Sequence, residues 1–176
     1  MKVSEFVFTG NNSLISICGT SGSGKTSISL QIIKELKSGV YFSPSLQNFY
    51  GRVEKIIFGP NIKFSIAYTT IHLINGIIKS ISDVNSPKIL VVDPINRYYR
   101  QTRNEVDIIL PLNLLKRIAE IIKVVITWDM PLDKRIESRL LWKYSDEVFF
   151  LRNNYIFGRN KKCKYSIGYY GVEICT

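Results

Sequence analysis

Gly19-Thr20-Ser21-Gly22-Ser23-Gly24-Lys25-Thr26 is a complete G-x-x-x-x-G-K-[ST] motif, the pattern of a phosphate-binding loop. An apolar run at 14–18 precedes it and a helix-forming stretch at 27–36 follows it, which is the strand-to-helix context that the motif requires. The three glycines allow backbone amides to turn inward around an anion, at the positive end of the following helix. A glycine-rich turn without this role would explain neither the lysine nor the hydroxyl.

The motif predicts a nucleotide site with Mg²⁺. Lys25 is expected to reach the terminal phosphates, and the hydroxyl of Thr26 is expected to ligate the metal. The residues assigned to nucleotide binding are Gly19, Thr20, Ser21, Gly22, Ser23, Gly24, Lys25, Thr26 and Ser27.

A second element of the same site is predicted at 88–93, where the apolar run Ile89-Leu90-Val91-Val92 ends in Asp93. Such a run indicates a buried parallel strand, which would place the carboxylate at its C-terminal end beside Mg²⁺. The alternative is an aspartate that only caps a following helix.

The composition predicts one domain spanning 1–176, because 176 residues with 45% hydrophobic content suit a single core. No apolar run approaches the ~20 residues of a membrane span and the N-terminus lacks a signal layout, so a soluble cytoplasmic protein without membrane contact is expected. Three cysteines without metal-ligand spacing argue against disulfides and zinc. The net charge of +10 favours polyanions such as nucleic acid, or reflects solubility alone.

Hydrophobic periodicity and turn residues predict an α/β fold along the chain. Helices are predicted at 27–36, 49–58, 70–82 and 112–122, and a loop or short helix at 132–142. Further strands are predicted at 40–42, 63–68 and 124–127. After residue 147 the pattern alternates, which predicts antiparallel strands or hairpins at 147–151, 155–159, 164–170 and 172–174.

Four segments together resemble, in order and spacing, the ATPase core of RecA-family recombinases, and in particular archaeal RadA and its short RadB-type paralogues. They are residues 14–19, 91–100, 124–127 and 142–148. The resemblance implies a P-loop nucleoside triphosphatase with a RecA-like, mostly parallel sheet flanked by helices, a C-terminal antiparallel β extension, and no N-terminal helical domain. It also implies that ATP binds at the C-terminal edge of the sheet.

The chain departs from this family where catalysis is concerned. The family has an acid after the second strand, whereas Tyr41-Phe42-Ser43-Pro44-Ser45-Leu46 contains no carboxylate, and the next is Glu54. We therefore expect weak hydrolysis, with Lys25, Asp93 and Asp129 as the catalytic residues. Asp129 would replace the family's polar amide sensor, unless it is only a loop carboxylate. The aromatic-x-x-Ala hook is not visible, so long filaments are not expected.

In the family, DNA-contacting loops follow the acidic strand and the sensor strand, and single-stranded DNA is the expected ligand here. The corresponding residues are Arg97, Arg100 and Arg103 in one loop and Lys134, Arg135 and Arg139 in the other. Alternatively, these arginines form ion pairs with Glu105 and Asp107, and Tyr98 and Tyr99 pack internally rather than stack on bases. A third basic cluster includes Lys161 and Lys162, at either a DNA-facing or a merely solvated hairpin.

Three functions follow from these observations. The first is an accessory recombinase paralogue that binds ATP and DNA and acts in homologous recombination or repair, beside the main recombinase or other repair proteins. The second is a non-catalytic, ATP-dependent adaptor for such a partner, which the absent carboxylate near Ser45 favours. The third is a small P-loop kinase, against which the lidless, β-rich C-terminal segment argues.

Overall fold

The computed structural model describes residues 1–45, 47, 50–54, 56, 58–82 and 87–175, the last by its backbone. Within these residues, nine strands form one sheet in the order β3-β2-β4-β5-β1-β6-β7-β8-β9. The strands are β1 (Leu14–Gly19), β2 (Gly39–Ser43), β3 (Ile62–Ile66), β4 (Ile89–Val92), β5 (Lys123–Asp129), β6 (Glu147–Arg152), β7 (Tyr155–Phe157), β8 (Lys162–Gly168) and β9 (Gly171–Cys175). The helices are α1 (Val3–Val7), α2 (Lys25–Leu36), α3 (Tyr50–Val53), α4 (Thr70–Ser82), α5 (Asn96–Thr102), α6 (Val106–Ile118) and α7 (Glu137–Tyr144).

The first six strands of the chain pair in parallel. β1, β2 and β4 are buried along their whole length, as expected of parallel strands covered on both faces. Helices α1 and α2 cover one face, and α4, α5, α6 and α7 cover the other. The C-terminal ends of β1, β4 and β5 therefore meet at one edge, where the predicted site residues lie.

The C-terminal strands extend this sheet instead of forming a separate layer. β6 was predicted as part of an antiparallel segment, but it pairs in parallel with β1, and only β7, β8 and β9 are antiparallel additions. The reversal between β6 and β7 occurs at Asn153 and Asn154, both with positive φ (51° and 61°), a conformation that asparagine tolerates in two-residue hairpin turns. The predicted mostly parallel sheet with an antiparallel extension is confirmed.

Helix α6 begins six residues before its predicted start at 112, because Pro111 lies inside the helix instead of preceding it. Proline cannot donate to the carbonyl four residues earlier, which is that of Asp107. The hydroxyl of Thr70 donates to this carbonyl at 3.2 Å and so replaces the missing bond. A contact from a distant helix thus permits a proline that the sequence pattern indicated as a helix boundary.

Several other boundaries differ from the predictions. Helices α1 and α5 were not predicted, and the region 132–142 contains α7, which continues to Tyr144. The helix predicted at 49–58 is confined to Tyr50–Val53 among the described residues, and 49, 55 and 57 lie outside them. Phe58 lies outside any helix because its ring packs edge-on against Phe64 of β3, at 5.0 Å between centroids. Among the described helices, none is long and apolar enough to cross a bilayer.

Candidate functional site

The predicted phosphate-binding loop connects β1 to α2, as the motif requires. Lys25 is the first residue of α2 and is only 6% exposed. Its Nζ donates to the carbonyl oxygens of Gly19 at 2.8 Å and Thr20 at 2.9 Å, so the side chain folds back across the loop. A buried ammonium group therefore lies at the centre of the loop, where an anion would meet both it and the start of the helix.

Two of the loop glycines are required by their geometry. Gly24 has φ of +96°, and a Cβ atom there would lie 2.8 Å from Ile167 Cδ1 of β8. Gly19 has no room for a side chain, because a Cβ would lie 2.2 Å from Ser23 Oγ. The C-terminal strand β8 also holds the loop directly, since the hydroxyl of Tyr165 donates to the carbonyl of Ser23.

The hydroxyl of Ser23 supports an anion as the occupant of this loop. Its Oγ is buried and has no hydrogen-bond partner among the described residues. Buried polar atoms in proteins almost always have a partner, and a bound ligand or water commonly supplies it at functional sites. Together with the buried Lys25, this unpaired hydroxyl fits a loop that binds phosphate.

Asp93 follows β4 and accepts hydrogen bonds from three hydroxyl groups. Thr26 Oγ1 donates to Oδ2 at 2.7 Å, Tyr41 also donates to Oδ2, and Thr127 donates to Oδ1. Burial, followed by the Asp93 charge, raises the pKa of Tyr41 well above its usual value, so its hydroxyl remains a donor. A carboxylate and the threonine hydroxyl are oxygen ligands of the kind Mg²⁺ prefers, and the two predicted ligands are in contact.

Asp129, at the end of β5, lies beside the loop lysine. Its Oδ1 is 3.1 Å from Lys25 Nζ, and its side chain is 40% exposed. The side chain of Asn96 fixes its backbone, since Nδ2 donates to the Asp129 carbonyl and Oδ1 accepts from the Asp129 amide, both at 3.0 Å. The structure thus brings all three predicted catalytic residues, Lys25, Asp93 and Asp129, to one edge of the sheet.

Arg100, predicted to contact DNA, is engaged inside the protein. Its Nε and Nη2 donate to the two carboxylate oxygens of the buried Glu137, at 2.7 and 2.8 Å. Nη2 also donates to the carbonyls of Asp129 and Pro131, at 2.7 and 2.6 Å. These contacts favour a structural role, and the ion pair forms with Glu137 instead of Glu105 or Asp107.

Four other basic residues of the two predicted DNA loops are exposed: Arg97, Arg103, Lys134 and Arg135. Backbone N–H groups of Ile136 and Arg135 lower the pKa of Asp133, and the charges of Arg103 and Arg135 lower it further. Arg139 lies 4.0 Å from Glu105, which makes a loose ion pair between the same two segments. The structure therefore brings the two predicted loops together on one surface.

The third basic cluster lies elsewhere and is used partly for packing. Lys161 Nζ donates at 2.8 Å to both the Phe6 carbonyl and Thr9 Oγ1, and burial lowers its pKa. Lys162 is exposed, with Nζ over the rings of Tyr155 and Phe157. The cluster is tied to helix α1 and not to the other two loops.

The predicted alternative for the tyrosines is the correct one. Tyr98 and Tyr99 are buried in the core beneath α5, and the Tyr98 hydroxyl donates to the Ala67 carbonyl at 2.8 Å. They are not available to stack on bases. Near Ser45, where the resemblance predicted a missing acid, the Oγ of the buried Ser43 donates at 3.1 Å to the Ser45 carbonyl.

A cavity of about 180 Å³ adjoins Ser27 in the first turn of α2. It lies between α3 and the turn that joins β8 to β9. The residues that line it are Ser27, Gly51, Arg52, Ile56, Ile167, Gly168, Tyr169 and Gly171. It meets the loop region only at Ser27, whereas a larger cavity of about 590 Å³ is lined by Gly19, Thr20, Ser21, Gly22 and Ser23 of the loop itself.

Some residues of the site were missed by sequence reasoning. Tyr41 and Thr127 donate to Asp93, Asn96 brackets Asp129, and Tyr165 holds the loop. For Thr127 a signal existed, because its hydroxyl follows the apolar run Val124-Val125-Ile126. For Tyr41 and Tyr165, an aromatic residue in a strand is indistinguishable from ordinary packing.

Comparisons of the sequence with protein-family models and with curated proteins find no match. Among solved structures, the chain resembles a KaiC-like protein from the hyperthermophilic archaeon Pyrococcus horikoshii OT3. The TM-score is 0.73 at 18% identity, covering 96% of this chain and 91% of that chain. This likeness confirms the predicted RecA-like fold and shows nothing finer.

Proposed function

We propose that this chain binds Mg·ATP at the Gly19–Thr26 loop and hydrolyses it slowly. The observation that carries the proposal is the convergence of a buried lysine, an unpaired buried hydroxyl and a threonine–aspartate pair at one loop. Each has a separate reason to be there if a metal-bound triphosphate is the ligand. A purely structural loop would explain none of them.

Thr26 and Asp93 would hold Mg²⁺, which neutralises phosphate charge when bound. Lys25 would exchange the carbonyls of Gly19 and Thr20 for phosphate oxygens. Slow turnover follows from the absence of a carboxylate at 43–45, since loss of a general base reduces rates by roughly a hundred- to ten-thousand-fold. Ser45→Glu is therefore expected to increase phosphate release, and rapid release by the unaltered chain would contradict this part.

Thermal unfolding with ATP tests the binding proposal, because a ligand of the folded state raises Tm as its concentration rises. ATP with Mg²⁺ is expected to raise Tm more than ATP with a chelator. Thr26→Ala is expected to remove this difference, whereas Thr9→Ala, a threonine remote from the loop, retains it. A Tm that does not respond to ATP under either condition would overturn the proposal.

We propose further that the chain binds single-stranded DNA, as an accessory RadB-type recombinase paralogue acting in recombination or repair. The supporting observation is a set of four exposed cations from the two predicted loops, which we call the basic face: Arg97, Arg103, Lys134 and Arg135. Cations on one surface suit a phosphate backbone, and each contact contributes about 0.7 to the salt dependence of binding. The tyrosines beneath it contribute packing and not stacking.

Titration of single-stranded DNA at rising salt tests this proposal. Affinity should fall steeply, and the combined variant Arg103→Ala and Arg135→Ala should reduce the slope by roughly 1.4. Lys34→Ala with Lys37→Ala, an equal charge change at the C-terminal end of α2, serves as the control. Absent or salt-independent DNA binding would instead favour the ATP-dependent adaptor, with a recombinase or repair protein as its partner.

A further inference from the structure

We propose that Asp129 makes the loop discriminate against a nucleoside triphosphate relative to the corresponding diphosphate. This inference rests on the proposed nucleotide site and assigns a specificity to it. Asp129 would be a specificity-determining residue, whose carboxylate repels the third phosphate of a triphosphate.

The geometry begins with the contact between Lys25 and Asp129. The carboxylate oxygen is 3.1 Å from the ammonium nitrogen that, by the motif, reaches the terminal phosphates. A terminal phosphate in contact with Lys25 would therefore lie within a few Å of the Asp129 carboxylate. At that separation two negative charges repel strongly at a partly buried site.

The backbone of Asp129 has little freedom to move away. Asp129 pairs with Gly19 in the parallel register of β5 and β1, and the next amide, that of Met130, donates to the Gly19 carbonyl at 3.0 Å. Asn96 binds the Asp129 backbone on its other side, and Arg100 binds its carbonyl. The backbone is held by three neighbours, so only the side-chain rotamer can respond.

The charges around Asp129 determine how much of the repulsion remains. Lys25 faces it directly, and Arg100 approaches its carbonyl but directs its charge at Glu137. Asp93 is a second carboxylate at the same edge, but Thr26, Tyr41 and Thr127 already donate to it. When a triphosphate binds Lys25, Asp129 loses its ion pair with that lysine. The third phosphate also adds negative charge close to the Asp129 carboxylate.

A diphosphate differs because its last phosphate is the one nearer the loop amides, and it places no third phosphate beside Asp129. Both ligands must displace the Lys25–Asp129 contact, so that effect cancels in the ratio of their affinities. The ratio therefore reports the repulsion of the third phosphate alone.

The test measures dissociation constants, with Mg²⁺, for ADP and for an ATP analogue with a non-hydrolysable bridge between its last two phosphates. Asp129→Asn should tighten analogue binding relative to ADP by about tenfold or more, as expected for removal of a like charge at this range. Asp133→Asn, the same change four residues on, should leave the ratio within about twofold. Asn96→Ala, which releases the backbone of Asp129, should shift the ratio in the same direction by a smaller factor.

The outcomes separate this inference from the proposed function. If both ligands bind but Asp129→Asn leaves the ratio unchanged, the inference is wrong and the nucleotide site stands. If Asp129→Asn weakens the analogue more than ADP, Asp129 assists the triphosphate and the inference is likewise overturned. If neither ligand binds to any folded variant, the proposed nucleotide site itself fails.

Discussion

The hydroxyl of Thr26 donates a 2.7 Å hydrogen bond to Asp93, which joins the start of α2 to the end of β4. The two residues are 67 positions apart and belong to separate segments of the chain. The contact places the two proposed Mg²⁺ ligands side by side, in an arrangement that a metal could join without a large rearrangement. Such preorganisation reduces the conformational entropy that is lost on binding.

Asp93→Asn is predicted to abolish the contribution of Mg²⁺ to ATP affinity while allowing weak, metal-independent binding through the loop. The same change should lower the free energy of unfolding by about 1–3 kcal/mol, because the three hydroxyls lose a charged acceptor. Binding measured with Mg²⁺ and with a chelator checks the first effect, and denaturant unfolding checks the second. Asp107→Asn is the control, and equal Mg²⁺ dependence in both variants would count against the assignment.

Gly24→Ala is predicted to destabilise the protein more than Gly22→Ala. Both glycines have positive φ, but only at position 24 would the added Cβ lie 2.8 Å from Ile167. The backbone strain is about 1–2 kcal/mol in each case, and the steric clash adds to it at Gly24. Combining Gly24→Ala with Ile167→Ala should restore the stability lost to the steric clash. The loss that comes from backbone strain should remain. Equal losses for the two single variants would show that β8 does not press on the loop.

The residues that sequence predicted well are those whose chemistry is local. The loop from Gly19 to Thr26 is contiguous, and the aspartate at 93 follows an uninterrupted apolar strand, so strand-loop-helix and strand-acid patterns reveal both. The α/β class follows from these two elements and the alternation of helices with strands, and the resemblance implied the RecA-like sheet.

The rest depended on contacts between distant parts of the chain. Helix α6 continues through Pro111, and Thr70, 37 positions before Asp107, donates to the Asp107 carbonyl that the proline leaves free. The parallel pairing of β6 with β1 could not be predicted from the alternation of apolar and polar residues in β6. Successive side chains point to opposite faces of a sheet whether the strands pair in parallel or antiparallel. Likewise, nothing in the local sequence of Arg100 indicates that its partner is Glu137.

Arg100→Ala is predicted to lower the free energy of unfolding by about 3–5 kcal/mol, because it leaves the buried Glu137 without its charged partner. Arg103→Ala, three residues along and exposed, should change stability by less than about 0.5 kcal/mol. Adding Glu137→Leu to Arg100→Met should recover most of the loss. Chemical denaturation of the unaltered protein, the two single variants and the double variant measures these differences. If Arg100→Ala is as stable as the unaltered protein, Arg100 becomes a candidate DNA contact again.

Asp146→Asn is predicted to make the free energy of unfolding depend less on pH in acid. Burial raises the pKa of Asp146, but hydrogen bonds from the Leu14 and Ser13 amides and from Lys116 outweigh it, so the pKa lies below its usual 3.8. The stabilisation is present above that usual value and is lost as pH falls through the lower folded pKa. Unfolding between pH 5 and pH 2 should therefore show a steeper decline for the unaltered protein, and parallel curves would refute the assignment.

The central claim is that the loop from Gly19 to Thr26 binds a triphosphate with the help of Lys25. Titration calorimetry of the folded protein with Mg·ATP tests this claim most directly. We predict saturable heat with one site per chain, and none for a folded Lys25→Ala variant at the same concentrations. Absence of heat from the unaltered protein at several temperatures, or equal affinity in Lys25→Ala, would contradict the account.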